Sequence, residues 1–306
     1  RMYEDDPGRN LFVQLMQALY HVHPVRLEIG GTVDSIRRIE VDTLYLCHRS
    51  FYRPDNAVLA IVGGVDPERA LAEARQALAR HGPAPDGAVV QRLYPEEPVP
   101  ARQARVERCL AVSRPRLLLG IKDVPAVRSG QELVRRSVAI NLALQAAFGT
   151  ASDHFREMYE AGLIDDGFSA RYLIDTRYAH TLVGGETDRP DEVEQRLREI
   201  LSRLADEGIG GEDFERLRRR ELGEFIASLD HPEWVANSLV TLHFQGAWPG
   251  DYLEALTSIT REEVDAAVRE HVAPERIAVS LVLPGGGIDP AGGFSPAARV
   301  EREPGA

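Results

Sequence analysis

The chain has 306 residues, 43% hydrophobic and 27% charged, with a formal net charge of −12. That is enough apolar material for one large domain or two smaller ones, and it excludes a disordered chain. The acidic balance argues against a nucleic-acid partner, whose affinity rests on clustered Lys and Arg, and no apolar run approaches the roughly 18 residues of a membrane span. With two cysteines, Cys47 and Cys109, each among apolar neighbours, the expectation is buried free thiols in a cytoplasmic protein rather than a disulfide framework.

In chain order, Asn10 to Tyr20 sets Leu11, Leu15 and Leu19 on helical spacing after Pro7-Gly8. A turn-rich stretch with Pro24 and Gly30-Gly31 follows. Asp34 and Ser35 then precede Ile36, Ile39, Leu44 and Cys47, which predicts a capped helix that stops before Pro54. Asn56 to Arg80 reads as a buried strand, a Gly-Gly turn and an amphipathic helix capped by Asp66 with Pro67 in its first position. Residues 83–104 collect prolines and lose periodicity, as an interdomain linker does.

Beyond the linker, "RVERCLAV" and "RPRLLLGIK" predict strands, and helices follow over about 129–148 and 152–161. Strands are expected near 168–174 and 181–184, then helices around 190–206, 212–229, 232–244 and 261–271, and a closing strand "RIAVSLVLP". The arginine run 216–220 is flanked by acidic residues on helical spacing and reads as a solvated helix face. The tail, 287–306, is Gly/Pro-rich and expected to be disordered. One internal echo stands out: Val-Gly-Gly, Asp, Pro and an acidic helix recur around Gly63 and Gly184. It implies an α+β protein of two similarly built halves, 1–82 and 105–286, on either side of the linker.

No chemical motif emerges from spacing alone. A helical zinc site sets two imidazoles at i and i+4 so that both rings reach one ion. None of the nine histidines has another three to five residues away, and His21 and His23, beside Pro24, read as a polar turn. Cys47 and His48 are neighbours on a predicted helix, so their side chains diverge by about 100°. Asp165-Asp166 reads as a helix stop. There is no nucleophile elbow, phosphate loop or dinucleotide fingerprint.

Taken together, "MYEDDPGRNLFVQLMQALYHVHP", "GGTVDSIRRI" and "FYRPDNAVLAIVGGVDPE" resemble the insulinase–pitrilysin family of zinc peptidases, in its bacterial processing-protease-like branch. Later agreement lies in "FREMYEAGL", "GGETDRPDEVEQRL" and "IAVSLVLP". The resemblance implies the two-half α+β fold of the processing peptidases and peptide hydrolysis by a zinc-bound water in full-length members. It also implies that the His-x-x-Glu-His helix and the last zinc ligand precede the segment matching Arg1, so no catalytic or metal residue is expected in this chain and no cofactor of its own. Remaining helices of the first half would then show an uncovered apolar face.

The resemblance further implies a substrate-clamping second half, using an arginine and a tyrosine past a Gly-Leu. Here Arg156 and Gly162-Leu163 are present, but Phe168 occupies the tyrosine position, which leaves Tyr172 as the substitute. Arg156 and Tyr172 are thus the expected substrate-binding residues. The expected partners are a peptide or protein substrate and a second copy or an active sibling subunit, with no nucleic acid and no membrane.

Overall fold

The computed structural model describes residues 6–80, 91–123 and 128–285. The fold is α+β. Helix α1 (Pro7–Leu19) starts where the Asp6 carboxylate accepts the Arg9 N–H at 3.0 Å and Pro7 fills the first turn. Helices α2 (Val33–Arg37), α3 (Val41–Phe51) and α4 (Pro67–Ala79) follow. The single helix expected over 34–47 is therefore two: Thr32 and Ser35 close a capping box on α2, and the chain restarts at Val41. Asp66 caps α4 through the N–H groups of Glu68 and Arg69.

Strands β1 (Arg105–Leu110) and β2 (Arg116–Lys122) lead to the long helix α5 (Gly130–Phe148) and to α6 (Asp153–Glu160). Next come β3 (Ser169–Ile174), β4 (Ala179–Glu186), α7 (Pro190–Glu207), α8 (Gly211–Ser228) and α9 (Pro232–Phe244). Then α10 (Pro249–Ser258), which the sequence patterning missed, α11 (Arg261–His271) and β5 (Ile277–Pro284) complete the described order. Residues 287–306 and the first part of the linker, 83–90, lie outside the described residues.

The sheet runs β1-β5-β2-β4-β3, with β1 parallel to β5 and the other pairs antiparallel. Alternation along each strand gives it two apolar faces. Leu117, Leu119, Ile121, Val183, Val279 and Leu281 join α5, α7 and α11 in the main core. Ala278 and Leu182 turn the other way, against Leu15, Met16, Ala18 and Leu19 of α1. Each Leu so buried contributes about 1.5–3 kcal/mol. A Cβ on Gly120 would stand 2.8 Å from Leu19 and 3.0 Å from Leu15, so glycine at this point of β2 is what lets α1 lie flat on the sheet.

Two expectations are corrected here. The apolar run after Asn56, expected as a buried strand, forms no strand among the described residues and stays open: Leu59 is 67% exposed. Cys47 and Cys109 are exposed, not buried. Cys47 lies on α3, and α2, α3 and α4 bury none of their residues; Cys109 lies on the edge strand β1. Apolar neighbours in sequence bury a thiol only when another element covers them.

Candidate functional site

Tyr172 lies on β3 facing the main core, beneath α5. Its backbone N–H donates to Asn141 Oδ1 at 3.0 Å, and its hydroxyl donates to Asp123 Oδ2. Asp123 follows β2 directly and is 1% exposed. Arg136 on α5 grips it with two parallel donors, Nη2 to Oδ1 at 2.8 Å and Nε to Oδ2 at 3.1 Å. Arg128 adds a third at 3.3 Å. His271, at the end of α11, sets Nδ1 3.3 Å from Asp123 Oδ1 and Nε2 2.8 Å from Thr181 Oγ1. A neutral ring protonated on Nδ1 accepts the Thr181 hydroxyl at Nε2, while Nδ1 approaches Asp123 without hydrogen-bond geometry.

The electrostatics follow from that geometry. Burial pushes the Asp123 carboxyl up, but His271 and Arg136 outweigh it and hold it well below the usual carboxylate range. Burial, and then the Asp123 carboxylate, push the Tyr172 hydroxyl far above its ordinary value, so it remains a donor. Burial draws His271 down although Asp123 pulls the other way. The network thus holds one fixed anion among two guanidinium groups, with Glu270 neutralising Arg136 from its outer side at 2.9 Å. It ties β2, β3, β4, α5 and α11 together, and its members are locked onto one another without the free reach of a nucleophile–base pair.

Arg156 sits apart. It is on the exposed side of α6, its side chain 62% exposed and its Nη2 2.6 Å from Asp153. No contact joins it to Tyr172 or to the buried network among the described residues; the structure does not bring the two nominated residues together.

The turn from Ile164 to Phe168 is more informative. Asp165 accepts the Gly167 N–H at 3.0 Å and pairs with Arg114 at 2.9 Å. Phe168 then packs edge-on to Phe148, with ring centroids 6.2 Å apart. Beside this turn opens a cleft of about 590 Å³, lined by Gly8 and Leu11 of α1, Arg116 of β2, Asp165, Asp166 and Glu186 among others. Arg116 and Glu186, cross-strand neighbours on β2 and β4, pair within its lining at 2.6 Å.

A zinc ion needs three or four convergent ligands. His21 and His23 do not converge. The His23 ring stacks on Tyr94 with centroids 5.4 Å apart, and its Nδ1 accepts the Val25 N–H at 3.1 Å. His21 instead places Nε2 3.2 Å from the Pro100 carbonyl. Among the described residues no group of three or more His, Cys, Asp or Glu side chains could hold a metal ion. His21 and His23, turned onto different partners, therefore do not make a zinc site between them.

Residues 38–221 match the family described as Peptidase M16 inactive domain. The chain belongs to the peptidase M16 family. This is the insulinase–pitrilysin group that the sequence motifs resemble. An uncharacterised zinc protease of Bacillus subtilis (strain 168), YmfH, is 33% identical over 283 residues, covering 92% of this chain and 66% of YmfH. An M16-like peptidase from Alicyclobacillus acidocaldarius superposes with a TM-score of 0.87 at 35% identity, over 93% of this chain and 67% of that one. The M16 inactive domain from Pseudomonas fluorescens, at 19% identity, shares the fold with a TM-score of 0.76 over 93% of this chain and 67% of its own. The chain thus spans about two thirds of these M16 relatives.

Sequence patterning missed the Asp123 network. A signal existed in Lys122-Asp123 closing the apolar run Leu117–Ile121, and in Arg136 within the apolar stripe of α5. Charges placed where a core pattern continues are read as solvated ends unless their partners are known.

Proposed function

We propose that this chain supplies the non-catalytic, substrate-clamping portion of an M16 zinc peptidase and is inactive by itself. The observation that carries this reading is the match of 38–221 to the family's inactive domain. The divergent partners of His21 and His23 support it. The clamp would hold an extended peptide along the cleft beside Asp165–Gly167, while zinc and its activated water belong to residues outside this chain. Arg156, exposed on α6, is the proposed contact to the peptide backbone. Tyr172, with its hydroxyl on Asp123, would serve by holding β3 in register rather than by touching the peptide.

Zinc titration by calorimetry, with a fluorogenic peptide as substrate, tests this reading. The expected result is no stoichiometric zinc uptake and turnover at the uncatalysed rate. Stoichiometric zinc together with chelator-sensitive turnover would overturn it.

A second reading, a non-catalytic subunit that shapes a peptide chamber with an active sibling, is favoured by the apolar surfaces of α2–α4, such as Ile36, Leu44 and Phe51, each at least half exposed. Co-purification of a sibling that carries His-x-x-Glu-His would support it; recovery of the chain as part of one longer polypeptide would exclude it.

A further inference from the structure

Residues 91–104, which composition marks as linker, are fastened at several points between Tyr94 and Gln103. The Glu97 carboxylate accepts three consecutive backbone N–H groups of the turn after α1: His21 at 2.7 Å, Val22 at 2.9 Å and His23 at 2.8 Å. It also accepts Lys122 Nζ at 3.0 Å, and that ammonium, at the end of β2, donates to the Pro98 and Pro100 carbonyls at 2.7 Å each. The Lys122 side chain is 1% exposed, so every proton it carries is directed at this segment or at the Tyr20 ring 5.5 Å away.

The last turn of α1 has carbonyls that no helical N–H can reach. The same segment supplies their donors: Gln103 N–H to Ala18 O at 3.0 Å, and Arg102 Nε to Gln17 O at 2.6 Å. Ala101 N–H then bonds Glu275 O at 2.8 Å, just before β5. Tyr94 is held between His23, stacked on it, and the Arg177 guanidinium 5.3 Å from its centroid. A buried ion pair that is also saturated with backbone partners holds one geometry, since removing either charge strands the other.

We propose that residues 91–104 are a clasp that makes α1 and its following turn one mechanical body with the second half, 105–285, and that α2–α4 pivot against this body at Gly30-Gly31. The pivot follows from what lies beyond the clasp. Gly31 has φ +68, a conformation costly for other residues, and no residue from Ile29 to Tyr52 is buried. The boundary of motion thus lies after α1 rather than at the proline-rich segment, where composition alone would put it.

Paired spin labels test this in a background with Cys47→Ser and Cys109→Ser. One pair joins Gln17 on α1 to Arg203 on α7; the other joins Thr43 on α3 to Arg203. The expected result is a narrow distance distribution for the first pair and one at least twofold broader for the second. Glu97→Ala should broaden the first pair and speed amide exchange at His21, Val22 and His23 at least tenfold, with the β2–β4 amides unchanged. Equal widths in the unsubstituted background would overturn the proposal without any clasp variant having to fold. So would a Glu97→Ala protein with unchanged exchange at those three amides.

Discussion

The Tyr172 hydroxyl points inward onto the carboxylate of Asp123, 49 residues earlier in the chain, and both groups are closed off from solvent. Tyr172, which sequence resemblance offers as a substrate contact, is one strut of a buried ionic network. Tyr172→Phe removes a single donor to a carboxylate and should cost about 1.5–3 kcal/mol of unfolding free energy. Asp123→Ala leaves Arg136 and Arg128 without their shared anion and should cost about 3–5 kcal/mol. Chemical denaturation of the two variants checks the order. If Asp123→Ala cost less than Tyr172→Phe, the network would not be organised around the carboxylate.

The buried histidines make stability depend on acid. Burial lowers His180 to about 3, below its unfolded value of about 6.5, because its ring lies between Tyr20 and Tyr178 with Nε2 lacking a hydrogen-bond partner among the described residues. A folded value below the unfolded one means the unfolded chain takes up the proton first. The contribution is complete above pH ~6.5 and falls by about 1.4 kcal/mol per pH unit as pH drops towards ~3. His180→Gln should flatten the stability profile between pH 6 and 4 by about one proton. An identical slope in the variant would show that His180 is not the group titrating.

Gly120 sets how closely α1 approaches the sheet. Gly120→Val puts branched carbon where Leu15 and Leu19 already stand. Overpacking of this kind costs about 1–3 kcal/mol. The expected outcome is a lower denaturation midpoint and faster amide exchange in α1, with α5 unaffected. Unchanged protection of α1 would mean that the helix does not depend on this contact.

The apolar residues of α2–α4 are surface, so changing them should alter association and not folding. A double substitution, Ile36→Glu with Leu44→Glu, should reduce binding of a hydrophobic dye while shifting stability by no more than about 0.5 kcal/mol per site. Leu15→Ala, in the core under α1, should cost about 2–5 kcal/mol. If Ile36→Glu and Leu44→Glu matched the cost of Leu15→Ala, these helices would be packed in solution.

Much of the second half is legible in the chain. Helical spacing, Pro at first turns and the alternation of "RLLLGIK" and "RIAVSLVLP" place most of its elements within a few residues of where they fold. Local preference and the apolar period act over one or two turns, and so does the sequence signal. The cleft was less legible: the Asp165–Gly167 turn is readable as a helix stop, but Arg116 and Glu186 meet only because β2 and β4 pair. The strand expected after Asn56 does not form among the described residues for the complementary reason, since a strand needs a partner that no local pattern supplies.

By itself, then, the sequence determined the order of most elements beyond the linker, α10 excepted, the absence of paired imidazoles on a helix and the resemblance to a peptidase family. Tertiary structure decided that Tyr172 faces inward, that Asp123 meets Tyr172 and His271 from distant elements, and that Glu97 bonds the turn after α1. The reason is range. Backbone propensity and apolar periodicity are properties of neighbouring residues. The partner of a buried charge is chosen by packing elements far apart in the chain, where desolvation makes every unpaired ion costly.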